Sequence, residues 1–143
     1  MAEGDAHVYN NFKEQLLLKT IDCDSDTFKM ALYTGTYAAG EIDGASGSYS
    51  TVGEITSANY VAGGQSIGTP VVSQDDANDW AKWDDDGTDV SWTSLGASAI
   101  RMAKLYDDTT VPKHLCIVWE IATDSNGGNY TLAFNANGMM TLA

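Results

Sequence analysis

Only one stretch of this chain places apolar residues at helical spacing, and it lies close to the start of the sequence. Its apolar residues recur three or four positions apart, which predicts an amphipathic helix over residues 8–19 with one buried face. That face would be formed by Val8, Tyr9, Phe12, Leu16 and Leu17. After Asp22 the pattern changes to short apolar segments separated by turn residues, which is typical of β-strands. The chain is therefore predicted to be a β domain with a single N-terminal helix.

The strand signals recur at spacings of about ten residues along the rest of the chain. The clearest spans Thr27–Tyr33, where Phe28, Met30 and Leu32 alternate with other residues, so a half-buried strand is predicted. The segment 115–121 is apolar on both faces and is predicted to be the most central strand. The remaining predicted strands cover residues 51–56, 59–62, 66–73, 80–84, 90–92, 99–106 and 130–134. Together these segments predict an all-β fold, an antiparallel β-sandwich of jelly-roll-like type, with one N-terminal α-helix.

Two regions of the chain lack these signals. Residues 1–7 show no core-forming pattern and are predicted to be a flexible N-terminal arm ahead of a single domain, residues 8–143. Residues 34–50 are rich in Gly, Ser and Tyr and contain few large apolar side chains. That composition favours a long loop, or a segment that becomes ordered only against a partner. A loosely paired hairpin is the alternative.

The charge balance of the chain is strongly acidic, because 20 acidic residues stand against 7 basic ones and the formal net charge is −13. Such a surface repels phosphate groups, so binding to nucleic acid or to anionic membranes is not expected. It suits a basic protein partner, cation binding or simple solubility. The N-terminal residues lack the basic and apolar regions of a secretory signal, and no segment approaches the length of a membrane span. Folding in a cytoplasm is expected.

Two aspartate-rich segments raise the question of a metal site. The first contains Asp22, Asp24 and Asp26. This spacing matches the start of a calcium-binding EF-hand loop, which also needs glycine at its sixth position and glutamate at its twelfth. Those positions hold Thr27 and Tyr33. A turn role is therefore favoured and no metal or cofactor is predicted, while calcium binding here or at the Asp84–Asp86 cluster is left open.

The sequence offers few groups for catalysis. Its two histidines, His7 and His114, are expected to be ordinary surface imidazoles. Glu120 is the only glutamate inside an apolar run, and it is predicted to point out of the sheet, with a buried acid of raised pKa as the alternative. The glycine motifs that bind phosphate are absent from the sequence. An enzyme is therefore not predicted.

Three tryptophans lie near one predicted hairpin. Trp80, Trp83 and Trp92 could form a sugar-stacking platform of the kind found in β-sandwich carbohydrate-binding modules. Core packing is the commoner role of such side chains and is favoured here. Carbohydrate binding is kept as the alternative.

Several blocks of the sequence, in order, resemble small virion structural proteins encoded by tailed bacteriophages. The blocks are residues 8–18 (VYNNFKEQLLL), 26–32 (DTFKMAL), 76–84 (DANDWAKWD), 90–92 (VSW), 105–107 (LYD) and 128–139 (GNYTLAFNANGM). They span almost the whole chain, and each is a fold-like pattern rather than a chemical signature. The Gly/Ser/Tyr-rich loop at residues 35–50 departs from the resemblance.

This resemblance implies a non-enzymatic binding role in a virion assembled in the host cytoplasm. The leading expectation is a capsid decoration, or cement, protein that binds the outside of the head, contacts the major capsid protein or other virion proteins, and forms a homo-oligomer, a trimer or dimer. A tail or neck accessory protein is the close alternative, and a carbohydrate-binding surface module is the alternative of another class. The helix is expected either to cover its own domain or to dock onto another chain. Candidate partner contacts in the arm, helix and loop are Ala2, Glu3, His7, Val8, Tyr9, Phe12, Tyr37 and Tyr49.

Overall fold

The protein is mostly β, with antiparallel sheets and one α-helix, as the sequence predicted. The computed structural model describes residues 4–44, 47–96 and 99–143. In chain order the elements are β1 (Ala6–Val8), α1 (Asn10–Leu17), β2 (Phe28–Tyr33), a 3₁₀ helix (Ala39–Ile42), β3 (Gln65–Ser66), β4 (Val71–Asp75), β5 (Trp80–Asp84), β6 (Val90–Trp92), β7 (Met102–Asp107), β8 (Leu115–Glu120), β9 (Tyr130–Leu132) and β10 (Met140–Leu142).

The largest sheet has five strands in the order β1-β8-β7-β2-β3, and each neighbouring pair is antiparallel. The prediction that residues 115–121 form the most central strand is wrong by one position, since β7 lies in the middle and β8 lies between β7 and β1. All six residues of β7 are buried, including Lys104 and Asp107. The sequence did not indicate that β7 is the central strand, because β7 contains charged residues and a fully buried strand is expected to be apolar throughout.

Strand β2 is largely covered on both faces, whereas it was predicted to be half-buried. Ala31 and Tyr33 of β2 share one face with Lys104 of β7, and all three are buried. The segment that follows β2 lies over this face: Tyr33 donates a hydrogen bond to the Ser50 carbonyl at 2.7 Å, and Lys104 pairs with Glu41 of the 3₁₀ helix. Loop residues therefore bury the face that alternation assigned to solvent.

The Gly/Ser/Tyr-rich segment is a long loop that packs on its own domain. Its Tyr37 ring stacks on His7 with centroids 4.0 Å apart, and its Tyr49 ring stacks on Tyr106 at 4.1 Å. A short 3₁₀ helix interrupts it. The described part of the loop is thus ordered by the protein's own aromatic residues.

Besides the large sheet, the structure describes two smaller sheets, one with the order β10-β5-β4 and one formed by β6 and β9. Trp83 of β5 packs against Phe28 of β2 and Phe12 of α1, at centroid distances of 5.0 and 5.4 Å. Its indole N–H donates to the Cys23 carbonyl at 2.9 Å. Trp83 therefore joins the large sheet, a small sheet and the helix in the core.

Residues 51–56 and 59–62 were predicted to be strands, and this is wrong. Within them the structure shows turns and one isolated bridge, between Glu54 and Tyr33. Side-chain hydrogen bonds hold this segment in place of backbone pairing between strands. The Glu54 carboxylate accepts hydrogen bonds from the Tyr49 and Tyr60 hydroxyl groups and from the Gly63 N–H. The predicted strand 66–73 is divided into β3 and β4, with Pro70 between them.

The N-terminal region is more ordered than predicted. The prediction of a flexible arm over residues 1–7 is wrong for residues 4–7, because β1 pairs with β8 and the Gly4 N–H donates to the Glu120 carbonyl at 2.7 Å. Strand β1 pairs with the edge of β8, whose backbone N–H and C=O groups on that side would otherwise lack strand partners. Residues 1–3 lie outside the described part of the chain.

The helix is shorter than predicted and buries a narrower face. It spans Asn10–Leu17, since Val8 belongs to β1. Phe12 and the N-cap residue Tyr9 are fully buried, but Leu17, placed by the prediction in the buried stripe, is 85% exposed. Two turns of helix cannot direct both Phe12 and Leu17 toward the core, because the two residues are five positions apart and lie on different faces.

Candidate binding surface

The residues predicted to contact a partner are mostly used inside the fold. Tyr9 and Phe12 are fully buried, and Val8 pairs with Ile117 in the large sheet. The rings of Tyr37 and Tyr49 stack on residues of their own domain. The structure therefore does not bring these side chains together as a free surface, and Ala2 and Glu3 lie outside the described residues.

Glu120 points inward, so the prediction that it faces solvent is wrong. It is 5% exposed, and its carboxylate Oε1 lies 2.6 Å from His7 Nε2. The Tyr37 ring covers the imidazole from one side. His7 is thus a hydrogen-bonded partner of Glu120 rather than an ordinary surface imidazole. This contact was missed because β1, the strand that carries His7, was not recognised from the sequence. His114 is buried as well, and its Nδ1 lies 2.8 Å from Asn11 Nδ2.

A second buried network joins the helix start, the 3₁₀ helix and the large sheet. Tyr9 donates its hydroxyl hydrogen to Glu41 Oε1 at 2.9 Å, and the same oxygen accepts from Lys104 Nζ. The ammonium group also lies 4.4 Å from the centre of the Tyr33 ring. Burial, and then the Glu41 charge, raise the pKa of Tyr9. Glu41 therefore serves as an internal acceptor for buried donors.

Asp107 is the most deeply buried carboxyl group among the described residues. Its Oδ1 accepts the backbone N–H groups of Thr109 and Thr110, at 2.7 and 3.3 Å. Its Oδ2 has no hydrogen-bond partner among the described residues. Burial raises the pKa of Asp107, and the neighbouring Asp26 carboxylate raises it further. Asp107 is fully buried, whereas Asp26 is partly exposed.

The aspartate-rich segments act as turns. Asp22 accepts the Asp24 N–H at 3.0 Å, and Asp26 accepts the Asp22 N–H at 2.7 Å. In the second segment, Asp86 accepts the backbone N–H groups of Thr69 and Thr88. Over residues 4–44, 47–96 and 99–143, no three His, Cys, Asp or Glu side chains are arranged to hold a metal ion.

The three tryptophans of the proposed sugar platform do not form one. Trp83 and Trp92 are buried in the core. Trp80 is half-buried, and its indole N–H donates to Asp75 Oδ2 at 3.1 Å. Core packing, which was favoured from the sequence, is therefore observed for Trp83 and Trp92, because alternation along β5 and β6 directs both rings inward; the alternative of a sugar platform is wrong for these two residues.

A cleft that the sequence did not indicate lies beside Trp119. Its volume is about 450 Å³, and its floor is formed by buried apolar side chains such as Met30 and Met139. Trp119 and Phe134 line it with ring centroids 5.5 Å apart. Trp119 was assigned to the apolar face of β8, so its partial exposure had no sequence signal.

The most distinctive open surface lies on the β10-β5-β4 sheet. A shallow groove of about 560 Å³ crosses the end of this sheet near the β4–β5 turn. Its apolar residues are Val72, Ala81, Trp80 and Leu142. Cross-strand pairing places Leu142 beside Ala81, and Val72 lies on the same face of the sheet. Val72 is 48% and Leu142 60% exposed, so part of this sheet face meets water.

Negative charge borders the groove. Asp75, Asp76 and Asp79 line it. The Asp75 carboxylate accepts hydrogen bonds from Asn78, from the Trp80 indole and from backbone N–H groups, and these bonds lower the pKa of Asp75. Residues 71–84 contain one basic side chain, Lys82, which pairs with Asp84 at 3.0 Å. The groove is therefore apolar at its base and anionic at its rim.

The sequence signalled parts of this surface but not its assembly. Strand β5 and the aspartates around it were visible in the block DANDWAKWD. The partner strand β10 lies about sixty residues further along the chain, so only the fold reveals that Leu142 completes the apolar base.

No described helix has the length and apolar character needed to cross a bilayer. Comparison of the chain with models of known protein families, with curated proteins and with solved structures finds no match.

Proposed function

We propose that this protein is a non-enzymatic structural component of a tailed-bacteriophage virion, a capsid decoration protein that binds the outside of the head and stabilises it. The resemblance of its sequence blocks to small virion proteins supports the virion assignment. Its partners would be the major capsid protein or other virion proteins, and it would act as a homo-oligomer, a dimer or trimer. We further propose that its sheets form an antiparallel sandwich of jelly-roll type, which the contact between Trp83 and Phe28 supports.

The observation that carries a binding role is the apolar groove with an anionic rim on the β10-β5-β4 sheet. Exposed apolar side chains next to charged ones are typical of a protein–protein contact site. The carboxylates of Glu41, Glu54 and Glu120, in contrast, contact hydrogen-bonding groups of the same fold. These acids therefore act within the domain, whereas the groove presents apolar side chains to solvent, where another molecule can contact them.

Particle composition tests this proposal. Quantifying the protein against the major capsid protein in purified virions should give hundreds of copies per particle, as a decorated lattice requires. Virions stripped of the protein should release their DNA at a lower temperature and regain the original temperature when it is added back. A few to dozens of copies, with unchanged heat release, would favour the tail or neck accessory role. Absence from purified virions would remove the virion assignment.

A carbohydrate-binding module is the second candidate function, and the cleft beside Trp119 is the observation that favours it. Trp119 and Phe134 present aromatic rings at an opening of about 450 Å³, and sugars stack on such rings. Host glycans should then change the tryptophan fluorescence of the wild-type protein, and a Trp119→Phe variant should lose this change. A flat titration across a glycan panel would eliminate this function.

A further inference from the structure

Strand β4 has one unpaired side. Among the strands described, β4 is hydrogen-bonded to β5 alone, at the end of its three-stranded sheet. In an antiparallel ladder, every second residue of an edge strand directs its backbone N–H and C=O away from its neighbour. Four of the five residues of β4 are exposed. A row of backbone donors and acceptors is therefore open to another strand.

The sequence of β4 carries little protection against such pairing. Edge strands are commonly guarded by lysine, by proline or by a bulge. β4 reads Val-Val-Ser-Gln-Asp, so it contains neither lysine nor proline, and its pairing with β5 runs without a register shift from Val71 to Asp75. The exposed side chains of Val71 and Val72 instead offer apolar contact area at one end of the strand.

The other end of β4 is acidic, and this selects the partner. Asp75, Asp76 and Asp79 lie at the β4–β5 turn and line the groove. A second copy of this chain would bring another net charge of −13, so the approach of two copies is opposed by their overall like charge. In an antiparallel pair of two β4 strands, each acidic end would lie beside the Val71 end of the other copy and would meet no basic residue of that strand. A segment with lysine or arginine at one end meets these acids favourably.

We propose that β4 accepts an extended segment of a partner protein as an added antiparallel strand, with apolar side chains beside Val71 and Val72 and lysine or arginine beside Asp75 and Asp76. Backbone hydrogen bonds would supply affinity, and the groove would select side chains at alternate positions. The proposal rests on the proposed function in one respect, since that partner would be another virion protein. It names the chemistry of the contact, which the proposed function leaves open.

A labelled hexapeptide, Lys-Lys-Thr-Val-Thr-Val, tests the mode of binding with the full-length protein. Fluorescence anisotropy should show saturable binding, and replacing both lysines by glutamate should abolish it. Two further peptides carry N-methyl groups on alternate backbone nitrogens, one set on the odd positions and one on the even. Only one set faces β4, so one peptide should lose about tenfold or more in affinity while the other retains binding.

Variants of the protein locate the site. Asp76→Asn with Asp79→Asn should weaken peptide binding by about fivefold, and Val72→Ser should also weaken it. The matched control is Glu14→Gln with Asp24→Asn, which removes the same charge from exposed positions on other segments and should leave binding unchanged. Circular dichroism confirms that each variant is folded.

Three results would overturn the inference: no saturable binding at about 1 mM peptide, equal effects of the two N-methyl patterns, or equal losses in the two charge variants. The last two would indicate general electrostatic attraction rather than strand addition. The assay needs no virion, so its outcome is separate from that of the particle experiments. If the protein binds the peptide at β4 but is absent from virions, the inference is upheld and the proposed function is rejected. If the protein is present in virions but does not bind the peptide, the proposed function is upheld and the inference is rejected.

Discussion

At the scale of single residues, the buried carboxyl group of Asp107 links the fold to pH. One of its oxygens accepts two backbone N–H groups, and the other has no hydrogen-bond partner among the described residues. Burial raises the pKa of Asp107 above that of a free aspartate. In the folded state the group therefore holds its proton at pH values where the unfolded chain has released it. Its contribution to stability is present at low pH and is lost as the pH rises through the folded-state pKa.

Replacing Asp107 by asparagine should remove this dependence. Between the unfolded pKa, about 4, and the raised folded pKa, the free energy of unfolding of the wild type should fall by up to about 1.4 kcal/mol per pH unit relative to the variant. Urea unfolding at a series of pH values measures the difference. Parallel pH profiles for the two proteins would show that Asp107 ionises equally in the folded and unfolded states.

The Glu41–Lys104 pair is a second residue-scale feature with a measurable cost of disruption. Both side chains are largely removed from water, so removing one partner leaves a poorly solvated charge. Lys104→Met or Glu41→Leu alone should destabilise the fold by about 3 kcal/mol, whereas the double replacement should cost much less. A double-mutant cycle by chemical denaturation gives the coupling energy. Additive losses would mean that the two charges act independently.

At the scale of elements, the helix α1 provides a sharp contrast between two of its apolar residues. Phe12 packs on Trp83 in the core, while Leu17 is exposed. Phe12→Ala should therefore lower the free energy of unfolding by about 3–5 kcal/mol, and Leu17→Ala should change it by less than about 0.5 kcal/mol. A large loss for Leu17→Ala in the isolated protein would contradict the observed face of the helix. Normal stability with lost particle binding would instead mark Leu17 as a partner contact.

The strands show which parts of the fold the sequence could predict. Segments with clear alternation or a continuous apolar run, such as β2, β5 and β8, were recognised, because burial of one or both faces leaves its period in the sequence. β1 was missed because three residues are too short for a period. Residues 51–62 misled the prediction, since Glu54 organises them through side-chain bonds that no periodicity reveals. The groove was beyond prediction because its base joins β5 to the distant β10.

At the scale of the whole molecule, the net charge of −13 affects how fast the protein associates with a charged partner, before any contact forms. A basic patch on a partner attracts such a protein over roughly a Debye length, about 10 Å at 0.1 M salt. Under the proposed function, the association rate with virions lacking the protein should fall by about tenfold or more between 0.05 and 0.5 M salt, with a smaller change in the dissociation rate. Surface plasmon resonance on immobilised particles measures both rates. A salt-independent association rate would show that charge plays no part in docking.

The pairing of β1 with β8 also determines when this protein can fold during its synthesis. Val8 lies opposite Ile117 in the sheet, so the first strand waits until more than a hundred further residues have left the ribosome. The β4–β5 hairpin needs only its own short turn and can close far earlier. Until β8 emerges, Tyr9 and Phe12 have no completed core to enter, and the nascent chain exposes them to chaperones and to other chains. Closure of the large sheet is therefore a late event, and a ribosome stalled before residue 115 would carry a chain that cannot bury Tyr9 and Phe12.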